Sequence, residues 1–168
     1  MGLIKKVAQQ KDALAQIWFE RVVETYPAET ARFLKSQKDP FANPVGQTTH
    51  RNLVTLIDLL GSKMDVNIAR DALDPIIRIR AIQDFTASRA TGFVFDLKQI
   101  IRKTLSVGLE NADEMTRIEN LIDQLALIAF DLYMQCREKI YDLKANETKQ
   151  RTYKAFAKAG LIKELGDE

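Results

Sequence analysis

An all-α fold follows from three features of the sequence. Seven glycines and four prolines in 168 residues are about half the usual combined share of roughly 12 per cent, so chain-turning residues are scarce and elements should be long. Apolar residues recur three and four positions apart along most of the chain, the spacing of one helical face. From Leu109 to Ala159 neither glycine nor proline occurs, which predicts one long C-terminal helix. At this length one domain is the default, and 46% apolar content is enough for a single core.

The elements can be justified in order. Leu3, Val7, Leu14, Trp18 and Val22 share a face, predicting a first helix over residues 3–26. Pro27 suits the first turn of a new helix, here residues 28–35, with Phe33 and Leu34 as its buried pair. Residues 36–46 hold Asp39-Pro40 and Asn43-Pro44; the residue before each proline is pushed toward extended backbone, so this reads as a bend. A third helix starts near Thr48 or Thr49 and buries Leu53, Leu56, Ile57 and Leu60, followed by a short helical piece over 65–73. Asp74-Pro75 reads as the start of the next helix, an acceptor side chain followed by proline at the first helical position; it carries Ile76, Ile77, Ile79 and Ile82. Thr86 caps another, with Phe93, Leu97, Ile100, Ile101 and Leu105, closed by Gly108.

In the long helix, Asn111 and Glu114 match a capping box, with acids early and bases late, as the helix dipole prefers. Met115, Ile118, Ile122, Leu125, Ala129 and Leu132 form one stripe, continued by Cys136, Ile140 and Leu143. Leu121, Leu127, Ile128, Phe130 and Met134 widen the apolar surface, so this helix is either the centre of the domain or shared with a second copy. Residues 1–148 read as the domain, and 149–168 as a short helix with Tyr153 and Phe156 and then a weakly ordered tail.

Composition and charge exclude several classes of function. The net charge of +2 is too small to recommend nucleic acid. Charge is nevertheless segregated: residues 76–108 hold six bases against Asp84 and Asp96, and residues 109–125 hold five acids against Arg117, so the two segments could pair within the fold or across a dimer. Lys5 and Lys6 are not followed by an apolar stretch, and the longest apolar run is Leu125 to Phe130, so neither a signal peptide nor a membrane span is expected and the cytoplasm is the expected location. The single cysteine, Cys136, permits no intramolecular disulfide and falls on the apolar stripe, reading as a core residue. His50, the only histidine, stands beside Thr48, Thr49, Arg51 and Asn52 at a polar helix start, not on the apolar wall a haem would need. No metal-ligand spacing, phosphate-cradling glycine loop or nucleophile–base pair occurs, so no catalytic, cofactor or metal residue is assigned. Trp18 and Phe19 at helical spacing read as core rather than as a ligand pocket.

The most unusual stretch is Asp-Pro-Ile-Ile-Arg-Ile-Arg-Ala-Ile-Gln-Asp from Asp74 to Asp84. Arg78 and Arg80 project about 200° apart on a helix, so both cannot point into the same sector of solvent. One of them should be held near Asp74 or Asp84, four residues away. Asp74, Arg78, Arg80 and Asp84 therefore form the candidate signalling or structural motif, either a polar anchor whose position can change or a fixed salt bridge.

With these residues in view, the chain resembles the RsbRD N-terminal domain family, helical sensor-like modules named after stressosome co-antagonist proteins. The resemblance rests on Arg21-Val-Val-Glu-Thr-Tyr-Pro-Ala-Glu-Thr, Asp39-Pro-Phe-Ala-Asn-Pro-Val-Gly, the Asp74 stretch and Phe93-Val-Phe-Asp-Leu-Lys, and covers roughly residues 10–145. Ala87 and Arg89 stand where the family's helix start would have Pro and Gln. The resemblance implies a globin-like helical bundle without haem and a homodimer. Met115, Ile118, Ile122, Leu125, Ala129 and Leu132 are the candidate dimer helix. The regulatory STAS domain usual in the family would need a further domain's length of sequence, and its absence implies output through another protein chain. The expected function is a non-enzymatic sensor or regulatory module working by protein–protein contact; the alternative is a binding module for a small apolar ligand or lipid where globins hold haem.

Overall fold

The computed structural model describes residues 1–162. Among them every regular element is helical: α1 (Leu3–Gln9), α2 (Lys11–Glu24), α3 (Ala28–Ser36), α4 (Pro44–Leu59), α5 (Val66–Ile82), α6 (Ala87–Thr91), α7 (Phe93–Thr104), a 3-10 turn (Leu109–Asn111) and α8 (Ala112–Lys158). One core joins α1, α2, α4, α5, α7 and the first half of α8, centred on Trp18, Leu53, Leu56, Leu73, Ile77, Leu97, Ile118 and Leu125.

The expected first helix is two helices. Gln10 leaves helical geometry only modestly (φ −108°, ψ 18°), a break made without glycine or proline and therefore invisible to composition. The turn keeps Leu3, Val7 and Leu14 all in the core. On α3 only Leu34 of the expected pair is buried; Phe33 is exposed.

Two prolines play roles other than those their local sequence predicts. Helix α4 starts at Pro44, not near Thr48: the Asn43 side chain accepts the Gly46 N–H at 2.9 Å and donates to the Leu34 and Gln37 carbonyls at 3.0 and 2.9 Å. Asn43-Pro44 is thus a cap and first helical residue. Pro75, by contrast, lies inside α5, whose N-cap is Asp65, accepting from Asn67 N–H and Ile68 N–H at 3.0 and 3.1 Å. A proline in mid-helix loses the bond its amide would donate. Ending the helix there would uncover Ala69, Ala72 and Leu73, all buried, so packing outweighs the lost bond.

Thr86 does cap α6, but the helix expected to run on to Gly108 breaks at Gly92 into α6 and α7. The capping box of α8 does not form. The Asn111 side chain makes no cap bond and its Oδ1 is buried without a partner. Glu114 instead accepts the Ile4 N–H at 2.9 Å, tying α1 to α8. The segment from Gln150, expected as a separate short helix, continues α8 without a break as far as Lys158; the end of the expected tail lies outside the described residues. The segregated charges pair within the fold: Lys98 with Asp123 at 2.7 Å and Arg102 with Glu119 at 2.8 Å bind α7 to α8.

Candidate functional site

The four-residue motif is divided by the fold among three places. Arg78 and Asp74 form the i,i+4 pair at 2.7 Å on the exposed side of α5. Asp84, at the end of α5, turns away from Arg80 and accepts from Arg137 of α8 at 3.1 Å. It does so from left-handed backbone (φ 58°), a conformation that is unusual outside glycine and serves here to end the helix.

Arg80 is the centre of the third place and is fully buried, with 0% of its surface exposed. Its Nε donates to the Ala90 carbonyl at 3.0 Å, Nη2 to the Arg89 carbonyl at 2.7 Å and Nη1 to Thr25 Oγ1 at 3.0 Å. Among the described residues no carboxylate pairs with it. Its charge is offset instead by the end carbonyls of α6, which have no partner within their own helix, and by aromatic faces. The guanidinium carbon lies 4.7 Å from the Phe85 ring centre, 5.1 Å from Phe93 and 5.6 Å from Tyr26, within cation–π range. Burial pushes the Arg80 pKa down, so holding the charge here costs free energy that these contacts must offset.

The same corner is tied to α8. Tyr133 Oη donates to the Phe85 carbonyl at 2.6 Å in the interior, and Arg137 donates to the Ala81 carbonyl at 3.0 Å. Arg89 lies over the other side of this cluster, 4.9 Å from the Phe85 ring, and donates to the Thr25 carbonyl at the end of α2. Sequence reasoning missed Thr25, Tyr133 and Arg137 because their partners lie on distant segments, which leave no spacing signal.

The candidate dimer stripe points inward. Met115, Ile118, Ile122, Leu125, Ala129 and Leu132 are at most 5% exposed and are spent within the chain's own core, so these side chains cannot form a contact between copies. On the opposite face Leu127, Phe130, Met134 and Tyr141 are exposed. From Tyr141 through Phe156 every residue of α8 is exposed, so roughly the last third of this helix, on the order of 70 Å long at 1.5 Å per residue, extends past the core.

The remaining candidates are structural. Trp18 is fully buried and donates its indole N–H to the Phe93 carbonyl at 2.7 Å. His50 lies within α4 rather than before it, half-buried and edge-on to Phe19 with ring centres 5.6 Å apart. Cys136 is half-buried beside the core, and desolvation pushes its thiol pKa up. It lines an open groove of about 600 Å3 between α5 and α8, together with Arg78, Ile82, Leu132, Ile140 and Leu143. Among the described residues no group of three or more His, Cys, Asp or Glu side chains could hold a metal ion, and no helix is long and apolar enough to cross a membrane.

No curated protein and no solved structure matches the chain. The family model described as the RsbT co-antagonist protein rsbRD N-terminal domain matches residues 12–148. That span runs from α2 through the core-packed part of α8, including the Arg80 corner, and the chain therefore belongs to the RsbRD N-terminal domain family of sensor-type modules.

Proposed function

We propose that this protein is a non-enzymatic, dimeric sensor or regulatory module of the cytoplasm that acts by contact with another protein, with α8 as the contact element. The observation that carries this reading is the uncovered part of α8: Leu127, Phe130, Met134, Tyr141, Tyr153 and Phe156 are 39–67% exposed on a single helix, more apolar surface than a lone helix end needs. The Arg80 corner gives this helix a path to the domain, through Tyr133 and Arg137 to the segment between α5 and α6. Multi-angle light scattering at micromolar concentration tests the reading. A dimer that Met134→Glu converts to a monomer of unchanged helicity is the expected result; a wild-type monomer would remove the dimer.

A second reading, a module that holds a small apolar ligand, draws on the groove between α5 and α8 rather than on the interior, where Trp18 and Arg80 occupy the centre. Native mass spectrometry of protein from the native host would favour it by showing a co-purified lipid on the monomer or dimer.

A further inference from the structure

We infer that the cleft between α2, α3 and the start of α4 binds a small organic anion, a carboxylate on a short apolar body. This goes beyond the reading above and depends on neither the dimer nor α8, none of whose residues line the cleft. The cleft has a volume of about 350 Å3, at the lower end of the ~300–1,000 Å3 of small-molecule sites. Its floor is apolar, formed by Phe19 and Leu34, which are otherwise buried in the domain. Its rim is polar, and the formal charges on it are those of Lys35 on α3 and Lys38 just after it; no aspartate or glutamate lines the cleft. His50 completes the rim from α4, its ring edge-on to Phe19.

The frame of this cleft is set by the fold, so little ordering is left for a ligand to impose. The Asn43 amide, by donating to the Leu34 and Gln37 carbonyls, fixes the end of α3 and the neighbouring Lys38 against the first turn of α4. The amides of that turn are already satisfied, Gly46 N–H by Asn43 Oδ1 at 2.9 Å and Gln47 N–H by the Asn43 carbonyl at 3.2 Å, so recognition falls to side chains. Two lining side chains are spent within the chain, Lys35 on Glu24 at 3.3 Å and Gln16 on Glu20 at 3.1 Å. Among the described residues the side chains of Lys38, Gln47 and His50 make no hydrogen bond. An ammonium, an amide and an imidazole on one rim can each donate to a carboxylate, while the Phe19 and Leu34 floor takes the apolar body. Inorganic phosphate would set a strongly hydrated charge over that floor and lose hydration without return.

Because His50 is the only histidine, its ring gives a single histidine signal in an NMR spectrum of the full chain, which reads the cleft directly. At constant pH and ionic strength, sodium hexanoate should move that signal saturably, with a Kd of about 1 mM or tighter, whereas hexanol, inorganic phosphate and chloride should not. Lys38→Ala, at an exposed position, should weaken hexanoate about tenfold, the loss of one charge-assisted bond. Lys103→Ala, equally exposed but outside the cleft, should leave it unchanged. A signal that does not saturate up to tens of millimolar hexanoate, or that chloride moves as far, overturns the site. An equal response to hexanol overturns the need for an anion, an equal response to phosphate overturns the apolar body, and equal weakening by both lysine variants overturns the role of Lys38. The readout is the same for a monomer and a dimer, so its failure is separate from that of the reading above.

Discussion

Arg80 carries a positive charge into the interior and is held there by carbonyls and ring faces instead of a carboxylate. Lysine has one ammonium in place of the planar fork and cannot reach three separate acceptors from that position. Arg80→Lys should therefore destabilise the domain by about 1–3 kcal/mol, the range for losing charge-assisted bonds and leaving buried carbonyls unpaired, read as a lower urea midpoint. If binding of a partner weakens in a variant that is still folded, the corner also has a regulatory role; a change in stability alone makes it a fixed anchor. Asp96 gives a test through pH. Desolvation raises its pKa, against the opposing pull of Arg21 and Arg80. The folded chain then binds more protons than the unfolded chain between the ordinary carboxylate value, about 3.9, and the raised one, so this group's contribution to stability declines as pH rises across that window. Asp96→Asn lacks the decline, so the stability difference between variant and wild type should shift in favour of the variant between pH 3 and pH 6, measured by thermal unfolding.

At the scale of elements, capping and packing compete with composition, and α4 shows how closely. Gly46 sits in its first turn, where a Cβ would overlap the side-chain amide of Asn43. Gly46→Ala should gain about 1 kcal/mol in helix propensity yet lose more by displacing Asn43 from its three hydrogen bonds. A net loss of about 1–2 kcal/mol, seen as a lower melting temperature, is the expected sign. The helices themselves were legible in the sequence wherever a stripe is regular, as with Leu53, Leu56 and Ile57 on α4. Their ends were not, because Asn43-Pro44 and Asp74-Pro75 are the same local signal with different outcomes. The first has Leu34 and Gln37 carbonyls to bind; the second has buried residues on both sides that hold the helix together across the proline. Of the candidate site, the oddity of Arg80 was legible as a charge inside an apolar helix, whereas its partners on α2 and α6 come from chain closure and have no local trace.

At the scale of the whole molecule, α8 divides into a longer part that completes the core and a last third that leaves it. Ending the chain after Ile140 removes a stretch in which residues 141–156 are all exposed, and with it the Tyr141 contact to Arg137 at 3.1 Å. The truncated protein should keep its melting temperature within a few degrees by calorimetry, with the dimer lost in light scattering. The sequence by itself determined the all-helical class, the long last helix and the family, because apolar periodicity, scarce glycine and proline, and short motifs are properties of neighbouring residues. Only the tertiary structure decided which face of α8 is spent on the core. An apolar stripe states that a surface must be covered, and two stripes on one helix state it twice; the covering partner is set by where the other helices lie. It placed Met115, Ile118, Ile122, Leu125, Ala129 and Leu132 against the chain's own helices and left Leu127, Phe130, Met134 and Tyr141 outside.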